Sequence, residues 1–90
     1  MKNQQILAAL AMDLRRVAIG YQRGSVKMAE RFLAEAMKRK QEVEIAGVRP
    51  YLRKYLDRIE VQTKETPKEK AENFLTYSIL FQNAATTYPA

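Results

Sequence analysis

The sequence predicts an all-α fold: a small four-helix bundle, antiparallel up-down or a close variant, with a short third helix and a long C-terminal helix. Three observations carry this. Apolar residues in every long segment recur at steps of three and four, not in sustained alternation. The breaks between segments hold glycine, proline or a helix-capping residue, and the connections they leave are short. The chain has 90 residues, of which 47% are hydrophobic, which supports one core, so residues 1–90 are read as a single helical domain.

The first helix is expected over about residues 4–22. Leu7, Leu10, Leu14, Val17 and Tyr21 make its stripe, and Ile6 and Ala18 widen it. In the following GYQRGS, Gly20 and Gly24 read as turn glycines and Ser25 as the N-cap of the next helix. That second helix, about 25–42, presents Ala29, Phe32, Leu33, Ala36 and Met37 inward. Its outward face predicts Arg31–Glu35 and Glu35–Arg39 pairs at i,i+4. The run Lys38-Arg39-Lys40 falls in the last turns, where the helix dipole favours cations, and is read as helix chemistry, not as a basic motif.

VEIAGV, residues 43–48, is a connector. Pro50 suits the first turn of a third helix over about 50–61. The fourth helix, about 67–87, has the clearest start in the chain. Thr66-Pro67-Lys68-Glu69 is a capping box with proline at the first helical position: the threonine oxygen accepts from the Glu69 amide while the Glu69 carboxylate accepts from the Thr66 amide.

Two absences exclude most chemistry. Without cysteine there is no disulfide, thiolate metal site or thiol nucleophile, and without histidine there is no imidazole base, ligand or triad. The carboxylates do not form a catalytic pair, no glycine-rich phosphate loop is present, and Ser25 and Ser78 lack a base. No enzyme, metal or cofactor is therefore expected. The apolar start, ILAALAM, runs straight on into Asp13, Arg15 and Arg16 without a small-residue cleavage site, so it reads as the first helix of a cytoplasmic protein and not as a signal peptide.

Charge and its absence supply the functional expectations. The net charge is +6, and the surplus lies entirely before residue 66. After Glu72 no Asp, Glu, Lys or Arg occurs, and the apolar arc of the last helix is roughly 220° wide, against the roughly 100–140° that a surface helix needs. Asn73, Thr76, Gln82, Asn83, Thr86 and Thr87 argue against a membrane span. A face that lacks charge and is rich in aromatics fits a contact between chains. Phe74, Tyr77, Phe81 and Tyr88, spaced as one ridge, are the expected interface of a homodimer, and contact with another protein is compatible with the same surface. The rival expectation is nucleic-acid binding through Arg23, Lys27, Tyr51, Lys54 and Arg58. In RPYLRKYLDR, residues 49–58, the cations border an apolar seam of Val48, Leu52, Leu56 and Ile59. Lys54 and Arg58 fall on the tyrosine side, Arg49 and Arg53 on the other, so no single basic stripe results.

Overall fold

The structure, a computed structural model, describes residues 3–60 and 65–87. Four α-helices follow in order: α1 (Asn3–Gln22), α2 (Val26–Glu42), α3 (Pro50–Arg58) and α4 (Pro67–Thr87), with a 3-10 turn at Ile45–Gly47 inside the connector between α2 and α3. Among the described residues there is no strand. The all-α bundle expected from periodicity is thus present. Its third helix ends at Arg58, before a turn at 59–60, and Val61, the expected last residue, lies outside the described residues.

α1 is the helix around which the others assemble. Its predicted stripe is buried throughout, and Leu10, Leu14 and Val17 have no exposed surface. Truncating one such leucine to alanine costs about 2–5 kcal/mol, through lost transfer energy and the cavity left behind. α2 runs antiparallel to it, as shown by pairings that climb one helix while descending the other: Asn3 with Glu44, Asp13 with Arg39, and Gly20 with Ala29. α4 is also antiparallel to α1. The end of α1 meets the start of α4 through stacked Tyr21 and Phe74 rings, 6.2 Å between centroids, and Met12 shares a cleft with Ile79 and Asn83. α3 closes the remaining side by inserting Leu52, Leu56 and Ile59, all buried. It is tied to α2 by Lys40 Nζ–Glu60 Oε1 at 2.8 Å and to α4 by Tyr55 against Tyr77, 5.6 Å between centroids.

The two glycines of the first turn divide their labour in a way that spacing alone does not reveal. Gly24 has φ +77°. It is the left-handed residue of a Schellman closure in which the Ser25 amide donates to the Gly20 carbonyl at 2.8 Å and the Gly24 amide donates to the Tyr21 carbonyl at 3.2 Å. Gly20, expected in the turn, lies instead within α1. A Cβ added there would stand 2.8 Å from the backbone nitrogen of Ala29. It is the point at which the two helices touch backbone to backbone, and its small size is a packing requirement. Ser25 occupies the N-cap position of α2, but its hydroxyl makes no capping hydrogen bond; the Ala29 amide bonds to its carbonyl instead.

Two expected surface pairs on α2 are replaced. Glu35 lies 3.9 Å from Lys38, not beside Arg31 or Arg39. Arg39 leaves the surface to reach Asp13 of α1, donating from Nε to Oδ2 at 2.8 Å. The reason is burial: the Asp13 side chain is only 6% exposed, and a buried carboxylate without a cation costs far more than an exposed arginine without an acid. At the opposite end of α1, the buried Asn3 side chain donates to the Glu44 carbonyl and accepts from the Glu44 amide, both at 2.9 Å. This fixes where the connector leaves α2.

Candidate functional site

α4 has a wide apolar arc because it serves two surfaces. One half faces the core. Phe74 and Phe81 have no exposed surface and Tyr77 is 6% exposed, with Phe74 and Tyr77 meeting edge to face at 6.1 Å. Three of the four aromatics expected to join two chains are therefore buried within one chain, held by α1 and α3. The fourth, Tyr88, lies outside the described residues. Any contact between chains made by α4 must use its other half.

That other half is open. Ala71, Ser78 and Ala85 are small and buried where α4 crosses α1, so the two helices approach closely and leave a groove along their outer seam. Leu75 and Ile79 stand beside it at i,i+4, 44% and 53% exposed, and Met12 of α1 faces them at 47%. These three belong to the six large hydrophobic side chains that are exposed among the described residues. The groove holds a cleft of about 660 Å³ lined by Ala11, Met12, Arg15, Leu75, Ser78, Ile79, Gln82 and Asn83. A second cleft, about 280 Å³, continues it toward the start of α4 past Ile19 and Glu72.

The groove is nearly free of charge. Arg15 and Glu72 are the ionisable side chains that line it, one of each sign. Neither makes an ion pair with a described residue. In the Lys38-Arg39-Lys40 run, by contrast, each residue has its own acid, namely Glu35, Asp13 and Glu60.

The residues of the rival expectation fall into two groups. On α3, the Lys54 Nζ and Arg58 Cζ lie 5.2 Å and 5.5 Å from the centre of the Tyr55 ring, while Tyr51 is 52% exposed. Tyr55 itself is half-buried against Tyr77 of α4. Arg23 and Lys27 are exposed at the junction of α1 and α2, next to a cluster that sequence reading did not pick out. There Arg16 of α1 and Arg31 of α2 both approach the half-buried Phe32 ring, at 5.3 Å and 6.0 Å. Only the packing of α1 on α2 joins Arg16 to Phe32.

Among the described residues, the Tyr21 and Glu69 side chains depart from their ordinary values. Burial pushes the Tyr21 phenol up, and the nearby Glu30 carboxylate adds to the effect. The Glu69 carboxyl is held below its usual range by the Thr66 backbone amide and, to a smaller degree, by the Thr66 side chain. Both belong to the frame of the bundle. Among the described residues no group of three or more acids is placed to hold a metal ion, and no helix is long and apolar enough to cross a membrane. Comparison of the chain with protein-family models, with curated proteins and with solved structures finds no match.

Proposed function

We propose that this chain is a small interaction protein that acts without catalysis, and that it pairs with a second copy of itself through the α1–α4 groove. The observation that carries this is the trio Met12, Leu75 and Ile79, exposed together along a seam where charge is almost absent. Water-exposed apolar side chains gathered in one groove are characteristic of contact surfaces.

Three features favour a second copy over another partner. Two chains of net charge +6 repel one another over most approaches, and the surface built from residues 73–86, which has no Asp, Glu, Lys or Arg, offers the least repulsion. The polar groups along the groove are hydroxyls and amides, such as Ser78 and Gln82. Such groups both donate and accept, so a copy of the same surface can match them. Arg15 and Glu72, of opposite sign and without an ion pair to a described residue, suit a two-fold contact in which each Arg15 meets the Glu72 of the other chain, because in such an interface every contact occurs twice.

Sedimentation equilibrium at micromolar concentration tests the proposal. The expected mass is twice the 10.4 kDa of the chain. Ile79→Glu should return the mass to that of one chain with an unchanged far-ultraviolet spectrum, because Ile79 is 53% exposed and its replacement leaves the core intact. A wild-type protein that sediments as one chain throughout this range rules the reading out.

A further inference from the structure

We infer that the junction of α1 and α2 binds single-stranded nucleic acid, with Arg16, Arg23, Lys27 and Arg31 as the cations that meet its backbone and with the guanidinium groups of Arg16 and Arg31 beside Phe32 also offering flat surfaces to the bases. The surface is distinct from the α1–α4 groove, and the inference does not rest on self-association. Between residues 14 and 34 the chain carries five cations and a single acid, Glu30. Glu30 shares a cleft with Tyr21, Ile59 and Glu60 and makes no ion pair with a described residue. Asp13, the nearest acid on α1, is buried and bonded to Arg39 at 2.8 Å; Arg16 lies 3.8 Å from its other oxygen. Glu35, one turn beyond Arg31, faces Lys38. Arg23, Lys27 and Arg31 make no ion pair with a described residue.

Geometry adds to charge. Lys27 and Arg31 are one helical turn apart and both exposed, so they form a short stripe on one face of α2. Arg23 enters beside them from the turn, and Arg16 from α1. A guanidinium lying on an aromatic ring is held with its plane defined, and a base can stack on a plane of this kind without sequence preference. Phe32 lies within 5.3 Å of one guanidinium and 6.0 Å of another. A duplex keeps its bases stacked inside and offers no such partner, which is why a single strand is the favoured ligand. The α3 group around Tyr55 is the weaker candidate, since it gathers two cations, Lys54 and Arg58, against the four of the junction.

The test is fluorescence anisotropy of a labelled oligothymidylate titrated with the protein at several salt concentrations. Four cations at about 0.7 ions released per single-strand contact give a log–log slope of about −2.8, or roughly fifty-fold weaker binding between about 50 and 200 mM salt. Lys27→Ala with Arg31→Ala should reduce the slope to about −1.4, while leaving the sedimented mass of the protein unchanged. Ile79→Glu should retain binding with the wild-type slope per chain. Absence of binding at about 50 mM salt overturns the inference. So does an unchanged slope in the double variant, or binding to vesicles of equal phosphatidylserine and phosphatidylcholine by a protein that ignores the oligonucleotide.

Discussion

Replacing Gly20 by alanine adds one methyl group where α1 and α2 touch, 2.8 Å from the Ala29 nitrogen and 2.9 Å from its Cα. Alanine gains about 1 kcal/mol in helix propensity, but backbone cannot yield as a side chain does, and overpacking of this kind costs about 1–3 kcal/mol. Urea denaturation should therefore show Gly20→Ala to be net destabilised. Gly24→Ala is a different experiment: the site is open, and the cost is the positive φ of +77°, about 1–2 kcal/mol. The Asp13–Arg39 pair should respond unequally to its two deletions. Arg39→Ala leaves a carboxylate that is 6% exposed with only the longer 3.8 Å contact to Arg16 and should cost about 3 kcal/mol, whereas Asp13→Ala leaves an arginine 38% exposed, free to turn to water at about half that loss. Chemical denaturation of the two variants checks the order. Roles set by near neighbours were legible in the sequence: Thr66 with Glu69, Gly24 at the turn, Pro50 at the start of α3. Roles set by a partner helix were not. Asp13 and Arg39 are 26 residues apart, and no local pattern states that they meet.

α4 shows the same division at the scale of an element. Its start was written in four residues, and the capping box forms as read, with the Thr66 amide 3.1 Å from Glu69 Oε1 and the Glu69 amide 3.2 Å from Thr66 Oγ1. The folded Glu69 carboxyl sits below its ordinary value of 4.5, so the ionised form is favoured by folding. Its contribution is present above that ordinary value and is lost as pH falls through the lower folded value. Thermal melts on acidification should accordingly show the gap between wild type and Glu69→Gln closing below the ordinary carboxylate range. The width of the apolar arc was equally legible, but not which half faces inward. Phe74, Tyr77 and Phe81 form the more regular ridge and fill the core; Leu75 and Ile79, the smaller set, remain outside. Hydrophobic periodicity marks every face that avoids water, and α4 has two, so the choice rests on which complements Leu14, Val17 and Tyr21 of α1. On α3 the inward seam was unambiguous because it was narrow, and Val48, Leu52, Leu56 and Ile59 are all buried.

Across the whole molecule, the basic junction and the neutral seam are formed by different pairs of helices. α1 and α2 meet in a basic junction at Arg16, Lys27 and Arg31; α1 and α4 meet in the neutral seam of Met12, Leu75 and Ile79. The excess of positive charge was visible in composition, but its location depended on which cations the fold pairs, as it does for Lys38, Arg39 and Lys40. A two-fold contact through the seam would leave Lys27 and Arg31 exposed on both chains, giving an assembly with two copies of the basic junction. The seam itself is best tested by exchanging its two charges. Sedimentation equilibrium at micromolar concentration should find Arg15→Glu and Glu72→Arg each shifted toward the 10.4 kDa chain mass, and the double variant restored to twice that mass. Equal masses for wild type, both single variants and the double variant would contradict the reciprocal contact, and a wild-type protein of 10.4 kDa would contradict self-association altogether.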